Sequence, residues 1–164
     1  MKHKILPILI VIICAASVAY ASFASTLSVS GTGTATGNWL VEIISITPTG
    51  QVGATDVPAP SFSATAATFS VNLAYPGATS SYQVAIKNKG NINAKLSSFT
   101  DLTTINSAAP AYITYAISGV AANDTLAPNA TATATVTVTW AASATTNPSG
   151  ASKATTIAFN YIQN

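Results

Sequence analysis

The side chains that most often carry out chemistry in proteins are scarce in this sequence of 164 residues. It contains one histidine, His3, and one cysteine, Cys14, and both fall within the first 24 residues. A Ser-His-Asp or Cys-His nucleophile needs an imidazole, and protein zinc sites are built mostly from Cys and His. From residue 25 onward the sequence therefore excludes these catalytic sites and the usual zinc sites.

Carboxylates are the remaining candidates for acid–base chemistry or metal binding. The sequence has four: Glu42, Asp56, Asp101 and Asp124. They are widely spaced, so they lack the D-x-[DN]-x-[DN] pattern of a calcium loop, although two could meet in the fold as general acid and base. Gly31-Thr32-Gly33 lacks the G-x-G-x-x-G spacing of a phosphate-binding loop. We expect no catalytic residue, no metal, no cofactor and no small-molecule substrate, and we predict that the protein is not an enzyme.

The first 24 residues have the features of a secretory signal peptide. Two lysines precede the predominantly apolar stretch Ile5–Ala19, and Ala19-Tyr20-Ala21 is a small-x-small cleavage site. The sequence predicts a signal peptide over residues 1–21 with cleavage after Ala21, or after Ala24 as a second choice. An uncleaved membrane anchor and a processed pilin helix are the alternatives, because the apolar run approaches the length of a spanning helix.

Cleavage would leave a chain with no net charge. The sequence contains no arginine. The four acids are then balanced by four lysines: Lys87, Lys89, Lys95 and Lys153. A neutral chain without arginine has little attraction for nucleic acid or anionic lipid. We therefore expect a secreted, extracellular protein that binds no nucleic acid.

The longest regular pattern is Ala130–Trp140, which reads A-T-A-T-A-T-V-T-V-T-W. Successive strand side chains point to opposite faces, so this alternation predicts one strand with a threonine face and an apolar face. A strand of this length needs partners on both edges and a second layer over its apolar face.

Shorter alternating segments supply those partners. The further predicted strands are Trp39–Thr47, Thr68–Tyr75, Ser81–Asn88, Ala94–Phe99, Tyr112–Ile117 and Ala154–Gln163. We predict loops over Pro48–Ala67, Ser118–Asn129 and Ala141–Lys153, and no helix after residue 24. About eight short strands separated by Gly/Pro turns are typical of an all-β fold. The fold class we predict for residues 39–164 is a two-sheet β-sandwich, either jelly-roll or immunoglobulin-like.

The segment Ser22–Asn38 is uncharged and rich in Ser, Thr and Gly. Its strand-like part places four residues in one phase: Phe23, Ser25, Leu27 and Val29. One interpretation is a flexible leader or an edge strand. The other is a donor strand that leaves its own domain and pairs with another subunit.

Two N-x-[ST] sequons lie in or beside the predicted loop before the long strand. They are Asn123-Asp124-Thr125 and Asn129-Ala130-Thr131. Such sequons mark asparagines that accept N-linked carbohydrate in exported proteins, although a threonine-rich chain also produces them by chance. We predict glycosylation at Asn123 and Asn129.

Three segments, in this order, resemble the TasA/camelysin-like family of secreted matrix-fibre proteins, and most of all its archaeal bundling-pilus and thread subunits. The first is A-Y-A-S-F-A, the Ser/Thr/Gly leader and W-L-V-E-I from Trp39; the second is Tyr82–Leu96, Y-Q-V-A-I-K-N-K-G-N-I-N-A-K-L. The third is L-A-P-N from Leu126, leading into the long strand. The sequence lacks the charge-rich character of the bacterial members, which favours the archaeal branch.

The resemblance implies a sandwich domain that polymerises by donor-strand exchange into a pilus, thread or biofilm-matrix fibre. Its partners would be further copies of the same chain, joined head to tail, and neighbouring filaments in a bundle. Camelysins have been described as metalloproteases, but residues 25–164 lack the histidines for such a metal, so that property is not carried over. The alternative function is a monomeric or membrane-anchored surface-layer or adhesive binding module.

Overall fold

The long alternating strand lies inside an antiparallel sheet of four strands. The structure is a computed structural model that describes residues 30–144 and 153–164. The strands are β1 (Val41–Val52), β2 (Ala54–Asp56), β3 (Ser61–Phe62), β4 (Ala67–Thr68), β5 (Val71–Leu73), β6 (Thr79–Asn88), β7 (Ala94–Phe99), β8 (Ile113–Ser118), β9 (Thr125–Leu126), β10 (Thr131–Trp140) and β11 (Phe159–Gln163). One short helix, α1 (Leu102–Ser107), precedes β8. The predicted signal peptide lies outside the described residues.

The strand order is β1-β6-β10-β8 in the larger sheet and β11-β7-β9 in a smaller one. All neighbouring strands in both sheets are antiparallel. Two further pairs, β2 with β5 and β3 with β4, form separate two-stranded ribbons. The predicted all-β fold class is confirmed, and its several antiparallel sheets are compatible with the predicted sandwich.

The alternation of β10 decides which face meets the core. Ala134, Val136, Val138 and Trp140 are buried, whereas the threonines between them lie on the outer face. The neighbouring strand β6 follows the same rule, since every even-numbered residue from Ser80 to Asn88 is buried. The phases predicted for these two strands are confirmed because apolar side chains lose contact with water only on the inner face.

Two different layers cover the inner face. Over one half, Ala94 and Leu126 of the smaller sheet contact Val84 and Ile86 of β6. Over the other half, the β2–β5 ribbon and α1 pack on β8 and β10. The side chains of this second cluster are Ile113, Tyr115 and Val138, with Phe69, Val71, Leu73, Leu102, Ile105 and Tyr112 around them. The sandwich therefore has one continuous sheet facing a composite layer.

The predicted loop Pro48–Ala67 is wrong. β1 continues through Pro48 to Val52, and β2, β3 and the start of β4 follow within the same segment. Pro48 is tolerated because it opposes the inward-facing Tyr82 at the sheet edge, where its missing N–H removes no ladder hydrogen bond. Residues 30–144 and 153–164 thus contain eleven strands rather than about eight.

Three smaller differences concern segments near the second half of the chain. Helix α1 was not expected; Asp101 caps it by accepting a hydrogen bond from the Thr103 N–H at 2.9 Å. The predicted loop Ser118–Asn129 contains β9, and the last strand is shorter than predicted, beginning at Phe159. Part of the predicted loop Ala141–Lys153, residues 145–152, lies outside the described residues.

Candidate functional site

A groove of about 300 Å³ lies between β1 and β11, the strands at one edge of each sheet. Six apolar side chains line it: Trp39, Val41, Ile43, Ile86, Phe159 and Tyr161. Ile43, Phe159 and Tyr161 also pack against the buried cluster around Val84. Because the core fixes these side chains, the groove is a preformed opening onto the hydrophobic core.

The edge of β1 turns main-chain polar groups toward this groove. The Leu40 carbonyl accepts a hydrogen bond from the Lys89 N–H at 2.8 Å, so the main-chain polar groups of Leu40 point toward β6. Main-chain groups alternate in direction along a strand, so those of Val41 and Ile43 face away from β6. The Ile43 N–H accordingly donates to the Ala64 carbonyl, at 2.8 Å, outside the sheet.

The edge of β11 has the same character. The Ala158 carbonyl accepts from the Thr100 N–H at 3.1 Å, and the Asn164 N–H donates to the Asn93 carbonyl at 2.9 Å. The main-chain polar groups of the even-numbered residues in this segment therefore point toward β7. The main-chain groups of Phe159 and Tyr161 face the other way, where the described part of the chain places no neighbouring strand. An added strand would meet outward-facing main-chain groups on both sides of the groove, with the Ile43 N–H of β1 already bonded to the Ala64 carbonyl.

The groove carries little net charge. The Glu42 carboxylate forms an ion pair with the Lys89 ammonium at 2.6 Å, and the two side chains are 21% and 48% exposed. Burial, with a smaller contribution from the negative charge of Asp124, raises the pKa of the Tyr161 hydroxyl and keeps it neutral. The site therefore suits an uncharged, partly apolar ligand.

The chain enters the domain beside this groove. Asn91 holds the segment before Trp39 by three hydrogen bonds: it accepts from the Asn38 N–H at 2.7 Å, and it donates from its own N–H to the Asn38 carbonyl at 2.8 Å and from Nδ2 to the Thr36 carbonyl at 2.9 Å. Gly90 permits this approach, because a Cβ there would lie 2.3 Å from the Asn38 oxygen. The direction of the chain at Thr36 is thus fixed by the β6–β7 turn.

The predicted donor residues Phe23, Ser25, Leu27 and Val29 and the predicted cleavage site at Ala21 lie outside the described residues. The two sequon asparagines are described. Asn123 and Asn129 are exposed and occupy turns on either side of β9, with φ angles of 75° and 63°. β9 and β11 are opposite edges of the smaller sheet, so neither sequon asparagine adjoins the strand that borders the groove.

Sequence reasoning did not identify the groove residues as a site. The alternation of Phe159 and Tyr161 predicted a strand, and Trp39 was placed in one, but neither pattern reports which strands end a sheet. Trp39 in fact lies just before β1 and is 41% exposed. An exposed tryptophan beside an open strand edge is the signal that only the fold provides.

Within residues 30–144 and 153–164, no group of three or more His, Cys, Asp or Glu residues is placed to hold a metal ion. The same part of the chain contains no helix long and apolar enough to cross a membrane. No protein-family model matches the sequence, and neither a curated protein nor a solved structure is similar to it.

Proposed function

We propose that the protein is a secreted structural subunit of an extracellular filament and is not an enzyme. In this proposal, the segment around Phe23–Val29 of one copy adds as a strand to the β1–β11 groove of the next copy. The observation that carries the proposal is the groove itself, which is lined by the edge strands β1 and β11 and by side chains that pack on the core, with the β3–β4 hairpin bonded to β1 at Ile43.

The donor segment and the groove match in chemistry. Strand addition gains main-chain hydrogen bonds and places alternate side chains in pockets. Phe23, Leu27 and Val29 share one phase, with neighbouring positions in that phase roughly 6.6 Å apart. Burying each of these side chains would contribute about 1.5–3 kcal/mol before ordering costs. The segment Ser22–Asn38 is uncharged, and the groove carboxylate is already paired.

The same arrangement accounts for an open polymer. The donor and the acceptor groove are different surfaces of one chain, and such head-to-tail contacts extend without limit unless a ring closes. Asn91 anchors Asn38 and Thr36, the point at which the leader joins the domain. Pili, threads and biofilm-matrix fibres are the assemblies that fit this chemistry, with lateral bundling as a further contact between filaments.

The test compares two charged variants of the chain that begins at Ser22. Leu27→Asp places a carboxylate in the phase that would enter the groove, and Ser28→Asp places the same charge in the opposite phase. We expect filaments in electron micrographs for the parent chain and for Ser28→Asp, and none for Leu27→Asp. Filaments of equal length from both variants would contradict the proposal.

A second pair of matched variants tests the acceptor groove. Trp39→Ala removes an aromatic ring that is 41% exposed in the groove, and Tyr75→Ala removes one that is 48% exposed outside its lining. We expect Trp39→Ala to raise the concentration needed for assembly and Tyr75→Ala to leave it unchanged. An equal effect of both would place the contact elsewhere.

A second candidate, an adhesive binding module, is favoured by the side chains around Trp39. The exposed ring of Trp39 could hold a sugar ring, because Glu42 and Asn160 belong to the same groove lining and binding sites combine apolar surface with a few polar groups. This candidate would be favoured if the parent chain stays monomeric and binds soluble oligosaccharides, and if the Trp39→Ala variant no longer binds them.

A further inference from the structure

The β3–β4 hairpin lies against the open edge of β1. Its four-residue turn is closed by Ser63, whose N–H donates to the Ala66 carbonyl at 2.7 Å and whose Oγ accepts from the Ala66 N–H at 3.2 Å. The strands pair at only two positions, Ser61 with Thr68 and Phe62 with Ala67. The hairpin therefore holds its own shape through local bonds.

Its attachment to the domain is slight. Every residue from Ser61 to Thr68 is exposed except Ala67, which is half-buried against the core cluster of β6. One main-chain hydrogen bond joins its turn to the sheet, from the Ile43 N–H to the Ala64 carbonyl at 2.8 Å. Elements with few buried apolar contacts open locally at low cost in free energy.

The hairpin nevertheless occupies the position that strand addition needs. Ile43 has one N–H, and it faces the groove edge; a strand pairing with β1 across this residue must accept the same hydrogen. Ala64 and Thr65 also line the groove beside Ile43. The hairpin and a full-length added strand thus exclude each other at this residue.

We propose that the β3–β4 hairpin is a removable guard of the β1 edge, closed in the free subunit and displaced when a donor strand binds. This inference rests on the proposed function, because it names what regulates the same groove. An unguarded strand edge invites uncontrolled pairing, and covering it with a loop is one way that proteins prevent this. Here the cover is held loosely enough to be exchanged for a better-fitting strand.

The first test uses hydrogen exchange of the unassembled subunit. We expect the Ile43 amide to exchange through local opening of the hairpin, much faster than the amide of Gln83 within β6. Ser63→Ala weakens the turn and should accelerate exchange at Ile43 by about two- to tenfold, the factor that one hydrogen bond represents. Ser61→Ala, a matched change in the same hairpin, should leave the Ile43 rate unchanged.

The second test follows assembly. Replacing residues 62–67 by Gly-Gly joins the paired ends Ser61 and Thr68 by a short turn and removes the Ala64 acceptor. We expect this variant to polymerise about two- to tenfold faster than the parent chain, with filaments of the same appearance. Ser63→Ala should accelerate assembly in the same direction, so the inference remains testable if the shortened chain does not fold.

The outcomes separate the two proposals. If Leu27→Asp abolishes assembly but neither hairpin variant changes the rate of assembly, the donor mechanism is supported and the inference that the hairpin guards the β1 edge is wrong. Equal exchange rates at Ile43 in the parent and Ser63→Ala chains would also overturn the guard. If Leu27→Asp assembles normally, the proposed function fails, whereas accelerated exchange at Ile43 would still identify the hairpin as the cover of this edge.

Discussion

Asn106 and the main chain of Tyr115 are joined by two hydrogen bonds. The Asn106 Nδ2 donates to the Tyr115 carbonyl at 2.9 Å, and the Tyr115 N–H donates to Asn106 Oδ1 at 2.8 Å. The amide side chain thus takes both hydrogen bonds that a neighbouring strand would make with this residue. Since β8 ends the larger sheet opposite β1, Asn106 closes the edge far from the groove.

Lys153 closes the same edge two residues earlier, at Ile113. Its ammonium, with three N–H donors, lies within hydrogen-bonding distance of four carbonyl oxygens: Ile113 at 2.9 Å, Ala108 at 2.9 Å, Asn106 at 3.2 Å and Pro110 at 3.3 Å. The Tyr115 hydroxyl donates in turn to the Lys153 carbonyl. Among the described residues, side chains block one edge of the larger sheet and the exposed hairpin covers the other, which favours strand addition at the β1 edge.

Asn106→Asp should destabilise the domain. The substitution keeps the shape of the side chain but replaces the donor facing the Tyr115 carbonyl with an oxygen, leaving a carbonyl unsatisfied beside a negative charge. We expect the free energy of unfolding in urea to fall by about 1–3 kcal/mol. Asn160→Asp alters an exposed asparagine and should change it by less than about 0.5 kcal/mol. Equal losses for the two variants would contradict the assigned role.

Lys153→Met should loosen the attachment of the C-terminal segment. It retains most of the aliphatic chain and removes all four ammonium contacts to carbonyl oxygens. We expect a loss of about 1–2 kcal/mol, below the upper range for charged hydrogen bonds because the side chain is partly exposed. Lys89→Met removes a surface ion pair and should cost about 0–1 kcal/mol. Thermal unfolding of both variants, followed by circular dichroism, provides the comparison.

Stability should fall at alkaline pH because of Tyr82. Its ring is fully buried, stacked on Phe69 at 4.3 Å, and its hydroxyl donates to Asp56. Burial first, and then the hydrogen bond to Asp56, raise its pKa to about 12. The folded state holds this proton more tightly than the unfolded chain, whose tyrosine pKa is about 10. The contribution of Tyr82 to the free energy of unfolding is therefore complete below pH 10 and is lost as pH rises toward 12.

The expected size of this effect is about 2–3 kcal/mol, from a pKa difference of two units. Urea unfolding between pH 8 and pH 12 measures it, and Tyr82→Phe is the control, since it keeps the ring and removes the titrating group. The variant should lose less stability over the same interval. Parallel curves for the two proteins would show that other groups cause the alkaline loss.

Both sequon asparagines should carry carbohydrate in the protein made by its own organism. Their side chains are exposed, and their main-chain N–H groups, not the side-chain amides, bond to Leu96 and Asn88. Asparagine tolerates positive φ, so the turns alone could explain these residues. Asn123→Gly and Asn129→Gly keep that backbone conformation and should each remove one glycan mass. An intact mass equal to the bare polypeptide would show that the sequons are unused.

The phases of the longer strands were predictable from the sequence because alternation is a local property. In β6 and β10 each inward residue is apolar or small, except the buried Asn88 at the end of β6, and each neighbour is polar or small. The burial pattern therefore follows from the two-residue period. The short strands β2, β3 and β9 were not predictable. With two or three residues each, they are too short to show a period. β2 and β9 depend on partners distant along the chain, such as Leu126 on Ala94, and β3 depends on the local turn that pairs it with β4.

Sequence alone determined an all-β chain, an uncharged leader with one apolar phase, and the absence of histidine and cysteine after residue 24. Each of these is set by residue type and spacing along the chain. The tertiary structure decided which strands end each sheet, that Asn106 blocks one edge, and that Trp39, Phe159 and Tyr161 meet across a groove. Those features depend on main-chain directions and on tertiary contacts, which for Trp39 and Phe159 join residues more than 100 positions apart and for which no local sequence period exists.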